Sequence, residues 1–165
     1  IKEKYGINAE IGSEIYYMLN KARDENNTFV FNKILDEIDA ENIYPLQTRF
    51  YASDEFNQDD RAKKYLYEML ISNDELDKAN FYSLLNTQYK TFFLEKIKQP
   101  TEFINFIRKA IDKWPEFKLE FKYLILKVAK EQNLKIKNWK EIYNYCKNSY
   151  VENRYFKIEE LENLK

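Results

Sequence analysis

A chain of 165 residues is long enough to bury one core, and with 27 basic against 28 acidic side chains its formal charge is only −1. It contains no His, a single Cys and two isolated glycines, Gly6 and Gly12. Those omissions exclude Ser-His-Asp and Cys-His catalysis, His- or thiolate-ligated zinc, an internal disulfide framework, and the Gly-rich loops that cradle phosphates.

Scarce Gly and Pro also disfavour all-β folds, which spend both at turns. Apolar residues instead recur at helical spacing almost throughout. Ile11, Ile15, Met18, Leu19 and Ala22 share one face of a first helix. Phe31, Ile34, Leu35 and Ile38 repeat the pattern behind an N-cap at Asn27 or Thr28. Pro45 marks a loop or the first turn of a short helix. The acidic stretch 53–60 reads as a loop running into a helix N-terminus, where its charge suits the dipole. Ala62, Tyr65, Leu66, Met69 and Leu70 give the next stripe.

Ser72 and Glu75 match a capping box, which predicts a helix starting near Asn73. Its apolar positions run from Leu76 through Phe81, Leu84 and Leu85 to Tyr89, Phe92, Phe93 and Ile97, with a bend expected near Asn86–Thr87. Pro100 resets the chain, Phe103, Ile107, Ala110, Ile111 and Trp114 form another stripe, and Pro115 ends it. The helix that follows is apolar on two sides. Phe117, Phe121, Leu124, Ile125 and Val128 lie on one, and Leu119, Tyr123 and Leu126 on the other, as in a helix covered on both faces. Its first half also alternates with period two, which leaves a strand as the alternative there. Asn138 and Glu141 repeat the capping-box spacing ahead of Trp139, Ile142, Tyr143, Cys146 and Tyr150. Ile158, Leu161 and Leu164 suit a short last helix. The expectation is an all-α chain of eight or nine helices, a compact bundle or a short α-solenoid of antiparallel hairpins, in one domain spanning 1–165. No apolar run approaches the ~20 residues that cross a bilayer, so no membrane role is expected. The first residue is Ile1 rather than Met, which suggests a domain or subunit of something larger.

The stretch from Phe106 to Leu124 resembles the junction between tetratricopeptide repeats. That family places an Ala on the second helix and a Pro five residues later, as at Ala110 and Pro115, with large apolar residues where Phe121 and Leu124 stand. Ile125 occupies the place of the family's small residue, and no second copy follows at a 34-residue period. The resemblance implies helical hairpins and a peptide- or protein-binding surface.

Near-neutral charge hides a polarity. Residues 1–80 carry 10 basic and 17 acidic side chains, net −7, and residues 81–165 carry 17 basic and 11 acidic, net +6. The basic excess lies between Arg108 and Lys147, interleaved with Trp114, Tyr123, Trp139, Tyr143 and Tyr145. Lys113, Lys118, Lys122, Lys127, Lys130, Lys135, Lys137 and Lys140 are the candidate surface, for a protein partner or for nucleic acid whose phosphates track the lysines. Solvated faces of amphipathic helices account for the same pattern, and both tryptophans fall on core stripes. Two internal alternatives are that the acidic half faces the basic half, or that two copies pair head to tail. Cys146 lies on an apolar stripe with no histidine to activate it, so a buried structural thiol is expected. Glu10 with Glu14 and Glu37 with Glu41 are each four apart. With Asp36 and Asp39 they resemble the magnesium-holding carboxylates of all-α nucleotide pyrophosphohydrolases, but solvated helix faces account for them and no metal or other cofactor is expected. The functional expectation is a non-enzymatic, cytoplasmic protein–protein interaction module. The alternative is a nucleic-acid-associated helical subunit using the Lys- and aromatic-rich region 108–147.

Overall fold

A computed structural model describes residues 9–56, 59–86 and 99–165. Among them the chain is all-α, with nine α-helices, one 3-10 turn and no strand. It divides into two compact units, residues 1–69 and 70–165.

The first unit contains α1 (Ala9–Asp24), α2 (Thr28–Glu41), α3 (Leu46–Glu55) and nearly all of α4 (Asp59–Ile71). The expected stripes become its core. Ile15, Leu19 and Ala22 of α1 pack with Phe31, Leu35 and Ile38 of α2, and Ile34, Tyr44, Ala52 and Phe56 close around them. Phe31 stacks on Phe56 with ring centroids 4.5 Å apart. Helix α1 ends in a Schellman motif: Asn26 N–H donates to the Arg23 carbonyl, and Asn27 N–H donates to the Ala22 carbonyl at 2.7 Å. The residue placed in the left-handed region is Asn26, at φ 53°. Asn27 then caps α2, its side chain accepting from Val30 N–H at 3.1 Å. Asn42, also at φ 53°, ends α2. Pro45 stands just before α3, and the acidic stretch differs from expectation. Residues 53–55 are the last turn of that helix rather than loop, because the small Ser53 is fully buried there.

A polar network joins α2, α3 and α4. Arg49, only 5% exposed, donates to the Tyr44 carbonyl at 2.8 Å, to Asp39 at 3.1 Å and to the Asn42 side chain at 2.8 Å. Tyr65 donates its hydroxyl to the same Asp39 at 3.0 Å, and Arg61 holds Asp36 at 2.6 Å. Burial and the adjacent Asp39 push the Tyr65 hydroxyl above its ordinary pKa.

The second unit contains α5 (Glu75–Asn86), α6 (Pro100–Lys113), a 3-10 turn (Pro115–Phe117), α7 (Lys118–Glu131), α8 (Trp139–Ser149) and α9 (Ile158–Glu162). Helix α7 is its centre and packs against α5, α6 and α8. Phe121, Tyr123, Leu124, Ile125, Leu126, Val128 and Ala129 are all buried, so the two apolar sides read from the sequence are both covered and the strand alternative is incorrect. Phe81, Trp114 and Phe121 form one aromatic cluster, and Tyr123 stacks on Phe156 at 4.0 Å. Pro100 opens α6 at its first position. Helix α5 starts at Glu75, later than the capping box implies: Asp74 accepts from Leu76 N–H, while Ser72 accepts from Asp74 N–H. Leu76, expected in the core stripe, is exposed on the first turn. Asn138 precedes α8 without a side-chain capping bond. Helix α7 ends like α1, with Asn133 at φ 53° and Leu134 N–H donating to the Ala129 carbonyl at 2.7 Å. The expected core positions Tyr89, Phe92, Phe93 and Ile97, and the bend past Asn86, lie outside the described residues.

Candidate functional site

Among the described residues, a cleft in each unit has chemistry that bears on function. In the first unit, α1, α2 and α3 leave a cleft of about 270 Å³. Tyr16, Tyr44 and Tyr51 line it together with Leu19, Phe31 and Thr48. Tyr16 is 56% exposed and the adjacent Tyr17 67%, so the α1 side presents large aromatic surface to solvent. Phe29, at the start of α2, is 76% exposed. Arg23 and Glu55 join α1 to α3 across a 2.8 Å ion pair. Partial burial and the neighbouring Tyr16 hold the Tyr44 hydroxyl above its ordinary pKa, so this phenol is a neutral donor at physiological pH. The sequence gives no periodic sign of this cleft. Tyr16 and Tyr51 fall off the core stripes, and Tyr44 lies between helices.

In the second unit the eight candidate lysines separate into different neighbourhoods. Lys118 and Lys122, one turn apart on α7, hold their ammonium groups 4.9 and 4.7 Å from the centre of the Tyr145 ring on α8. Both line a cleft of about 580 Å³ between α6, α7 and α8, where Arg108 joins them from α6. Lys113 donates instead to Asn73, and Lys127 to Asn86. Lys130 donates to the Asn163 carbonyl at 2.6 Å, which satisfies a free carbonyl just past α9. Lys135 and Lys137 are exposed on the connection before α8, and Lys140 is exposed on α8 itself. Two of the eight therefore converge on one concavity, with an arginine that the charge pattern includes only as part of a run.

The remaining candidates have structural surroundings. Trp114 is buried in the aromatic cluster, and Trp139 is half-buried. Cys146 is fully buried, its Sγ facing the Leu119 carbonyl at 4.0 Å, and burial pushes its thiol up to about 12. A thiol so shifted is not a thiolate near neutral pH, and hence not a nucleophile there. Asp36 and Asp39 are held by Arg61, Arg49 and Tyr65. Among the described residues no three carboxylate or thiol groups gather in a metal-holding arrangement, and the side chain of Glu10 lies outside that description. Among those same residues no helix is long and apolar enough to cross a membrane. Comparison with protein-family models, with curated proteins and with solved structures returns no match to this chain.

Proposed function

We propose that this chain is a non-enzymatic, cytoplasmic protein–protein interaction module, a domain or subunit of a larger assembly, that holds its partner at the tyrosine-lined cleft of the first unit. The observation that carries this reading is the cleft formed by Tyr16, Tyr44 and Tyr51 beside the exposed Tyr17. Tyrosine supplies a large apolar face and a hydrogen-bonding tip at low entropic cost, which is why it concentrates in binding surfaces. The cleft is large enough for one bulky apolar side chain of a partner, with the phenol hydroxyls bonding to its backbone. Residues 1–69 carry nine basic and fourteen acidic side chains, net −5, which favours a partner segment with basic residues around that anchor. The scatter of most of the candidate lysines over separate neighbourhoods supports the same reading, as does a sequence without histidine whose one cysteine is buried.

Selection of displayed peptides on the purified protein tests it. Enriched peptides should share an aromatic or large aliphatic anchor flanked by Lys or Arg. Tyr16→Ala, which removes an exposed ring, and Thr48→Trp, which fills the cleft, should each weaken the selected peptides about tenfold or more. Peptides that bind both variants as tightly as the parent would refute the assignment of the cleft.

A further inference from the structure

We infer that the cleft between α6, α7 and α8 is a binding site for the phosphate of a nucleotide. Three cations face it, Arg108, Lys118 and Lys122, and among the described residues none of them lies within ion-pair distance of a carboxylate. Arg23, Arg49 and Arg61 each hold an Asp or Glu, whereas Arg108, like Arg154, holds none among the described residues. The Arg108 guanidinium donates to the side chain of Asn105, one turn back, at 3.2 Å. Asp112 is the single acidic residue lining the cleft.

Lys118 and Lys122 share one aromatic ring, so their ammonium groups lie within twice 4.9 Å of each other, and both side chains are half-buried. At up to that separation two like charges repel modestly, and the Tyr145 ring quadrupole offsets part of the repulsion. An anion seated between them and Arg108 removes the repulsion and receives charge-assisted hydrogen bonds from three directions. Volume and lining decide what the anion carries. At about 580 Å³ the cleft is far larger than a bare phosphate and falls in the usual range for small-ligand sites. The half-buried Ile111, backed by the buried Ile125 and Ile142, gives the cleft an aliphatic lining for a planar base, and the exposed Asn138 lines it as well, with an amide that can meet polar groups. The shared chemistry is thus a nucleoside phosphate, supplied either as a free nucleotide or as a residue of a single strand. This site is distinct from the tyrosine-lined cleft, and either assignment can fail without the other.

The experiment titrates the full chain with magnesium-free ATP and with a ten-residue oligothymidylate, by calorimetry at low salt and again as salt is raised. The variants are Lys118→Gln with Lys122→Gln, and separately Arg108→Gln, whose exposed side chain has no packing role that would unfold the protein. Saturable binding of ATP identifies a free nucleotide as the ligand, and binding of the oligonucleotide alone identifies a strand. Either supports the site if affinity falls about tenfold or more in both variants while Lys140→Gln binds like the parent. Strand affinity should fall with salt at a log–log slope of about −0.7, the value for one neutralised phosphate of a single strand. Absence of binding to both probes, binding that survives the cleft variants, equal loss in Lys140→Gln, or tighter binding of a phosphoserine peptide than of either probe would overturn the inference.

Discussion

Arg49 offers the sharpest test of how the first unit is held together. Its guanidinium is almost fully enclosed and bonds to Asp39, to the Tyr44 carbonyl and to Asn42, joining the end of α2 to α3. Arg49→Met keeps the aliphatic stem and deletes all three bonds. Removing one partner of a buried pair costs about 3–5 kcal/mol, because the other charge stays behind without compensation. Here Asp39 keeps the Tyr65 hydroxyl at 3.0 Å and has Arg61 and Lys64 each at 3.8 Å, so the loss should fall at the low end, about 3 kcal/mol. Pairing Arg49→Met with Asp39→Asn should cost less than the two single changes added together, by about 1–2 kcal/mol, since the double variant leaves no orphaned charge. Urea unfolding followed by far-UV circular dichroism measures both quantities. Trp114 and Trp139 lie in the second unit, so tryptophan fluorescence follows that unit's transition and helps assign the dichroism change. If Arg49→Met lies within about 0.5 kcal/mol of the parent, as an ordinary surface change does, the network contributes nothing and the reasoning fails.

Asn26→Gly should raise stability by about 0.5–1 kcal/mol, because glycine enters the left-handed region without penalty, whereas Asn42→Gly should lower it through loss of the Arg49 bond; thermal melts compare the two. Tyr65, Tyr82 and Tyr123 all have hydroxyls held above the ordinary value of 10.0 by burial. A folded pKa above the unfolded one gives stability that is intact below the unfolded value and declines as pH rises past it. Melting temperature should therefore drop steeply above about pH 10; a melting temperature that stays unchanged up to about pH 12 would contradict it. Cys146 should resist thiol reagents at pH 8 in the folded protein and react at once in urea; rapid labelling without denaturant would contradict its burial.

Helix positions were legible in the sequence because the apolar period is regular. Ala62, Tyr65, Leu66, Met69 and Leu70 are all buried as their spacing implies, and the double-sided pattern of α7 places it at the centre of its unit. Legibility failed where local chemistry offered equivalent choices. Either Ser72 or Asp74 suits the start of α5, and the choice depends on which side chain meets a free N–H in the folded backbone. Residues 53–55 are polar enough to read as loop, yet burial of Ser53 extends α3 through them. For the candidate sites the charge excess was readable and its geometry was not. The four-residue spacing of Lys118 and Lys122 fixes them to one face of α7, but only tertiary packing brings Arg108 across from α6 and turns Lys113, Lys127 and Lys130 elsewhere. The tyrosine-lined cleft draws single residues from helices and a connection, a pattern without a period.

The asparagines that close α1 and α7 have a bearing on how the protein ages. Asparagine deamidates when the backbone nitrogen of the following residue attacks its side-chain carbonyl to form a succinimide. After Asn26 that nitrogen belongs to Asn27, and after Asn133 to Leu134, and each N–H is held at 2.7 Å by a carbonyl of its own helix. The attacking atom is therefore occupied and turned away for as long as the helix end is intact. Conversion of Asn26 or Asn133 to aspartate or isoaspartate during storage then records how often those helix ends open, a slow chemical clock for local unfolding that mass spectrometry can read without any label.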